Sequence, residues 1–124
     1  MKKRGKYAIL EKIYRKKNFC AKGGRSMKKV LFVDCCIRRE ASRSKELAEY
    51  FIQKLEETGA YEIERLCLMD ENLSYFSDGF FFQREALLAE GKFDHPRFRY
   101  AHRFAAADKI VIAAPFWDLS FPAL

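Results

Sequence analysis

The sequence predicts an α/β fold in which short parallel strands alternate with helices. Residues 27–34 and 109–114 contain short apolar runs rich in β-branched side chains, which are typical of buried parallel strands. Between these runs, residues 44–58 carry apolar side chains at helical spacing. The alternation of strand and helix favours one sheet whose parallel strands are joined by right-handed crossovers.

The first half of this pattern begins after a polar junction at residues 22–26. The first strand is followed by a polar loop, and Ser42 or Ser44 can cap the helix predicted after it. Gly59 is suited to end that helix. Residues 61–68 alternate between apolar and polar side chains, which predicts a second strand near an edge of the sheet.

The second half contains weaker signals. Residues 69–83 carry turn residues and three consecutive phenylalanines, 80–82, which are predicted to lie in the core or on a dimer surface. A short helix is predicted over residues 83–90, and Pro96 at a first helical position predicts another helix. The third strand, 109–114, is expected to be buried on both faces because it is uniformly apolar.

The positive charge is concentrated at the N-terminus. Residues 1–26 hold ten Lys or Arg and one acid (+9), whereas residues 27–124 hold fourteen Lys or Arg and sixteen acids (−2). We therefore expect two parts: a basic leader at 1–26, either disordered or a mis-assigned start with translation beginning at Met27, and a domain at 27–124. A chain of 124 residues suffices for one small domain.

Several classes of protein and site are disfavoured. No apolar run approaches the length of a membrane-spanning helix. The four cysteines form no CxxC pair, which predicts reduced thiols in a cytoplasmic protein. His95 and His102 have no cluster of further ligands nearby, so no metal site is expected.

Two loops are candidate sites because ligands of open α/β sheets bind beyond the carboxyl ends of the strands. In residues 35–44, Ser42, Arg43 and Ser44 stand at a helix N-terminus, where a phosphate is favoured. The alternative, a simple N-cap, is favoured for this loop alone by roughly two to one. In residues 115–121, Phe116 and Trp117 form either a wall for a planar ring or a hydrophobic plug, with equal support.

Both loops resemble those of a known family. Residues 106–124 are similar to the segment that leads into the flavin loop of the flavodoxin-like NAD(P)H dehydrogenase (quinone) and FMN-dependent azoreductase family, and residues 28–47 resemble its first strand and phosphate loop. The resemblance implies a flavodoxin-like three-layer sandwich with a parallel sheet. Such a sheet has five strands in the order 2-1-3-4-5, so the domain is expected to be truncated after its third strand.

The resemblance also implies the cofactor-binding residues, which are Cys36, Ser42, Arg43, Ser44, Phe116, Trp117, Asp118 and Leu119. The three residues 42–44 would hold the FMN phosphate, Cys36 would lie near the ribityl chain, and 116–119 would line the isoalloxazine ring. Cys36 and Asp118 depart from the family, which often has Ser and Asn there. Cys is a poorer hydrogen-bond donor than Ser, and Asp lacks the amide donors of Asn.

The implied function is a ping-pong oxidoreductase. NAD(P)H would reduce bound FMN, and a quinone or azo compound would then be reduced, with no catalytic side chain and with a homodimer in the complete protein. The alternatives are a non-catalytic truncated remnant and, with less support, a nucleic-acid-binding protein that uses the basic leader. We expect the 124-residue chain to be inactive by itself, because its third strand would have an open edge.

Overall fold

The computed structural model describes residues 27–75, 77–117 and 120–121, so the basic leader lies outside the described residues. Three strands and three α-helices follow one another in the predicted alternation. They are β1 (Lys28–Asp34), α1 (Arg43–Glu57), β2 (Tyr61–Cys67), α2 (Asp78–Ala89), α3 (Arg99–Ala106) and β3 (Lys109–Ala113). Short 3₁₀ turns occupy Arg39–Ala41, Leu68–Asp70 and Pro96–Phe98.

The three strands form one parallel sheet in the order β2-β1-β3. This order confirms the predicted flavodoxin-like arrangement, in which the first strand lies between the second and the third. Asp34, the last residue of β1, is in register with Cys67 on β2 and with Ala113 on β3. The three strands therefore end level with one another, and the loops that follow them share one edge of the sheet.

The core lies on both faces of β1, because consecutive residues of a strand point to opposite faces. On one face, Val30 and Phe32 are buried against Ile52 of α1. On the other face, Leu31 and Val33 are buried with Leu66 of β2, and Tyr100 of α3 packs against this cluster. Helices thus cover both sides of the sheet, as a three-layer sandwich requires.

Helix α1 confirms the sequence prediction to within one residue at each end. Ser42 is its N-cap, and Thr58 is its C-cap. Gly59 follows with φ of +65°, a left-handed conformation that costs glycine little because it has no Cβ. Among the described helices, none is long and apolar enough to cross a membrane.

Helix α2 begins five residues earlier than the predicted residue 83. Ser77 caps it, since its Oγ accepts a hydrogen bond from the backbone N–H of Phe80 at 3.2 Å. The prediction of turns up to residue 83 was therefore wrong, because three consecutive aromatics hide the helical periodicity. Phe81 and Phe82 are exposed, whereas Phe80 is half-buried and lies 4.3 Å from the guanidinium of Arg97.

Strand β3 is in the predicted place, but the expectation that it is buried on both faces was wrong. Ala113 is buried and Val111 half-buried on the α1 side of the sheet. On the opposite side, Ile110 is 43% exposed and Ile112 is 58% exposed. Helix α3 packs against β1 on that side and leaves the two isoleucines open. An apolar run shows that a strand favours burial but does not show what covers it.

Candidate functional site

A cavity of about 190 Å³ lies at the carboxyl edge of the sheet, between the loop after β1 and the loop after β3. Its described lining residues are Arg38, Ser42, Arg43, Ser44, Pro115 and Trp117. The structure thus brings together the two loops in which the sequence predicts a site. It also places the N-terminus of α1, with its unpaired N–H groups and partial positive charge, at this cavity.

The two serines have different roles at the start of α1. The buried Ser42 caps the helix, because its Oγ accepts a hydrogen bond from the backbone N–H of Lys45 at 3.3 Å. Ser44 lies within the first turn and is half-buried, and its hydroxyl forms no hydrogen bond with any described residue. The cap interpretation therefore holds for Ser42, while Ser44 presents an uncommitted hydroxyl to the cavity.

Two arginines at the cavity are available to an anion. Within the described part of the chain, neither Arg38 nor Arg43 forms an ion pair, and both side chains are exposed. By contrast, Lys45 on the same helix lies 2.6 Å from a carboxylate oxygen of Glu40 and 3.4 Å from one of Asp34. The hydrogen bond that Lys45 donates to Glu40 raises the pKa of Lys45. Among the described residues at this edge, Arg38 and Arg43 are therefore the cations without a carboxylate partner.

The start of the loop is fixed by the buried carboxylate of Asp34. Its Oδ1 accepts a hydrogen bond from the backbone N–H of Cys36 at 2.9 Å, and its Oδ2 faces Lys45. A buried carboxylate is stable only when it is paired and hydrogen-bonded, and Asp34 has both kinds of partner. This contact sets the direction in which the chain leaves β1.

The other side of the loop is fixed by an ion pair. Arg39 donates to Oδ1 of Asp70, in the turn after β2, at 2.9 Å. The Arg39 guanidinium lowers the pKa of Asp70 below its ordinary value. Arg39 is not among the described residues that line the cavity, so the neighbours Arg38 and Arg39 project to different places.

Cys36 lies in the core and not on the cavity. Its side chain is 1% exposed, packs with Val30 and Ile52, and donates from Sγ to the carbonyl oxygen of Ala113 at 3.5 Å. Burial raises the pKa of both the Cys36 and the Cys35 thiols, so they are neutral at pH 7. Cys36 thus anchors the loop to the core, because its thiol donates a weak hydrogen bond to the backbone of β3.

The loop after β3 contributes Pro115 and Trp117 to the cavity. The backbones of Trp117 and Ser120 exchange two hydrogen bonds of 2.9 Å, which hold these two residues of the loop side by side. Phe116 is 65% exposed and packs edge-on against Phe121, at 6.4 Å between ring centroids, and it is absent from the described lining. The two other predicted residues, Asp118 and Leu119, lie outside the described residues.

Sequence reasoning missed Arg38 and Pro115. The sequence signal for Arg38 was present, since Arg38 and Arg39 lie in the loop after β1, but their adjacency does not show which of them faces the cavity. For Pro115 the sequence predicts only the start of a loop. Within the described residues, no group of three or more metal-ligating side chains comes together.

Comparison with known proteins gives a family match and several relatives. The family described as having a flavodoxin-like fold matches residues 28–124. The FMN-dependent NADH:quinone oxidoreductase 2 of Clostridium acetobutylicum is 39% identical over 100 residues, which are 79% of this chain and 50% of the relative. An FMN-dependent NADH:quinone oxidoreductase of Coprothermobacter proteolyticus is 36% identical over 103 residues, and one of Clostridium beijerinckii is 34% identical over 100 residues, with the same shares covered.

The chain spans about half the length of the curated relatives that it matches. No solved structure matches the chain significantly. The family match to residues 28–124 includes the two loops that meet at the cavity.

Proposed function

The chain belongs to the family with a flavodoxin-like fold. We propose that it acts as an FMN-dependent NAD(P)H oxidoreductase that reduces quinones or azo compounds. We also propose that the cavity at the N-terminus of α1 holds the FMN phosphate. One observation carries the proposal. The cavity joins the N-terminus of a helix to two arginines that form no ion pair with described residues. This arrangement favours a dianionic group.

The lining residues suit a phosphate monoester. Guanidinium groups form charge-assisted hydrogen bonds with phosphate oxygens, and helix N–H groups donate to the same oxygens. Arg38, Arg43 and Ser44 would supply the side-chain donors, while Ser42 keeps the helix N-terminus in place. A volume of about 190 Å³ suits the phosphate and the adjoining ribityl carbons, since sites for whole drug-sized ligands span ~300–1,000 Å³.

The loop after β3 would receive the flavin ring. Trp117 offers an aromatic face at the cavity, and planar rings stack favourably on such faces. Phe116, Asp118 and Leu119 are proposed to line the same ring beyond the described cavity. When bound, FMN supplies hydride transfer between NAD(P)H and a quinone or azo acceptor. The side chains named here bind and orient, and we assign none of them a role in proton transfer.

Two further parts of the proposal concern the protein's setting. The thiols of Cys35, Cys36 and Cys67 are free, which supports a reducing compartment such as the cytoplasm. The exposed rings of Phe81 and Phe82 on α2 support a homodimer in which this region contributes to the interface. A non-catalytic FMN-binding protein is the alternative, because the side chains that line the cavity are suited to binding and none of them is assigned a role in the reaction.

Paired titrations with FMN and riboflavin test the phosphate site, because riboflavin is FMN without the phosphate. Binding is followed by the quenching of flavin fluorescence. We expect the dissociation constant of FMN to be at least about tenfold lower than that of riboflavin, because riboflavin lacks the phosphate that accepts the charge-assisted hydrogen bonds. Replacing Arg38 and Arg43 with Gln should remove this preference. The control is Arg84→Gln, because Arg84 is not among the described lining residues and pairs with Glu85.

Equal affinities for FMN and riboflavin would refute the phosphate site. The oxidoreductase part is tested separately, by following NADH oxidation with menadione and added FMN. Turnover that depends on FMN supports it. Tight FMN binding without turnover would replace the oxidoreductase with the non-catalytic alternative.

A further inference from the structure

Arg39 has an unusual backbone conformation within the loop that borders the cavity. Its φ is +49°, and among the described residues no other non-glycine residue has a positive φ. Its backbone N–H donates to the carbonyl oxygen of Cys36 at 3.0 Å, and its carbonyl oxygen accepts from the N–H of Ser42 at 3.1 Å. The turn at Arg39 therefore delivers Ser42 to the N-cap position of α1.

A left-handed conformation is unfavourable for arginine, because its Cβ crowds the backbone. Such a conformation persists only where surrounding contacts hold it. The side chain of Arg39 provides these contacts, since Nη1 donates to Asp70 Oδ1 at 2.9 Å and Nη2 to the carbonyl oxygen of Met69 at 3.4 Å. Both acceptors belong to the turn after β2, so the pair joins the ends of two adjacent strands.

The exposure of the pair argues against a role in overall stability. The side chains of Arg39 and Asp70 are 56% and 64% exposed, and exposed ion pairs contribute little to the free energy of unfolding. The direction that the ion pair gives to the Arg39 side chain matters more than the strength of the pair. With Arg39 turned towards Asp70, the preceding Arg38 lines the cavity and the following Ser42 caps α1.

We infer that Arg39 and Asp70 are positioning residues that hold the loop after β1 in the shape that binds phosphate. The inference rests on the proposed function. Neither residue is among the described residues that line the cavity, so both act through the backbone of the loop and through the direction of Arg38.

Simple electrostatics predicts the opposite effect. Asp70 is a negative charge near an anion site, so its removal by Asp70→Asn strengthens phosphate binding if charge alone matters. If the pair holds the loop, the same substitution weakens binding, because Arg39 loses the partner that fixes its backbone. The sign of the change in affinity therefore separates the two explanations.

The test is FMN titration of the whole chain with three variants. We expect Asp70→Asn to weaken FMN binding about five- to tenfold, in the range of measured couplings between contacting residues. Arg39→Ala should weaken it at least as much, because alanine keeps a Cβ and loses the ion pair. Arg39→Gly should weaken it less, because glycine adopts a positive φ freely.

The matched control is Glu57→Gln, which breaks another exposed ion pair, with Lys54 at the far end of α1. It should leave FMN affinity unchanged. Riboflavin affinity and melting temperature should stay constant in Asp70→Asn, since a merely structural role would move the melting temperature. Unchanged or stronger FMN binding in Asp70→Asn, or equal losses in Arg39→Ala and Arg39→Gly, would overturn the inference.

Amide NMR spectra without ligand separate this inference from the proposed function. In Asp70→Asn, the amide signals of residues 36–44 should shift while those of the second half of α1 stay in place. Unmoved signals in the loop would overturn the inference even if FMN binds as proposed. If the wild-type chain does not prefer FMN to riboflavin, the phosphate site fails, and shifted loop signals would still support Arg39 and Asp70 as the residues that hold the loop.

Discussion

Replacing Ser42 and Ser44 one at a time should separate helix capping from ligand binding. Ser42 caps α1 through a 3.3 Å hydrogen bond from the N–H of Lys45, whereas Ser44 has no hydrogen bond with a described residue and lines the same cavity. The structure therefore assigns different consequences to two chemically identical substitutions. Ser42→Ala should lower stability, and Ser44→Ala should lower affinity.

The magnitudes follow from the contacts. Loss of an N-cap costs about 1 kcal/mol of stability, which lowers the melting temperature of a domain of this size by roughly 4–8 °C. Ser44→Ala removes no internal hydrogen bond and should change stability by less than about 0.5 kcal/mol. A hydrogen bond to a charged group contributes about 1.5–3 kcal/mol, so Ser44→Ala should weaken FMN binding about tenfold or more.

Both variants are studied by two measurements. Circular dichroism gives the melting temperature, and titration with FMN gives the affinity. Ser44→Thr is the control, since threonine keeps the hydroxyl and should retain most of the affinity. A Ser44→Ala variant that binds FMN like the wild type would contradict the assignment of its hydroxyl to the phosphate. A Ser42→Ala variant with an unchanged melting temperature would contradict the capping role.

Three further predictions concern buried and charged groups around the cavity. Asp34→Ala leaves the N–H of Cys36 without its buried acceptor and should cost about 3 kcal/mol, measured by denaturation in guanidinium chloride, whereas a loss below about 1 kcal/mol would contradict it. Because the pKa values of Cys35 and Cys36 are raised in the folded chain, the unfolded chain releases thiol protons above pH ~8.5 that the folded chain keeps. The free energy of unfolding should therefore fall with rising pH, and it should fall less steeply when both residues are replaced with Ala. An equal pH dependence of the free energy of unfolding in the wild type and the double variant would refute this. Arg38→Gln with Arg43→Gln should weaken FMN binding and flatten its dependence on salt, and an unchanged salt dependence in calorimetric titrations would exclude charge pairing at this cavity.

The order of elements along the chain was predictable from residue patterns because β1 and α1 give strong local signals, whereas the order of the strands in the sheet followed from the family resemblance. An apolar run after a charged start, then a capped helix ended by glycine, leaves few arrangements of the chain. The predicted helix over residues 44–58 agrees with the observed Arg43–Glu57 for this reason. The start of α2 was not predictable from periodicity, because three consecutive phenylalanines near its beginning hide the alternation of apolar and polar faces. The caps of the helix, Ser77 and the acidic Asp78, were the better signal.

The cavity was predictable in its location but not in its lining. Parallel strands that end level bring their following loops together, and this alone places residues 35–44 beside residues 115–121. The choice between Arg38 and Arg39 depends on the sign of one backbone angle, which is held by Asp70, 31 residues further along the chain. Such a long-range contact leaves no local trace in the sequence. Exposure of Ile110 and Ile112 likewise depends on what packs against β3, and not on the residues themselves.

The charges near the cavity combine in a way that suits one dianionic group. Asp34 and Glu40 both lie within ion-pair distance of Lys45, whose one positive charge offsets one of the two carboxylates without use of the arginines. Arg38 and Arg43 contribute two positive charges beside a helix N-terminus, and a phosphate monoester carries roughly −1.5 to −2 at pH 7. An inward-facing Arg39 would add a third charge and strengthen binding of any polyanion. Its pairing with Asp70 directs that charge to the turn after β2, so among the described lining residues Arg38 and Arg43 are the cations left to hold a phosphate.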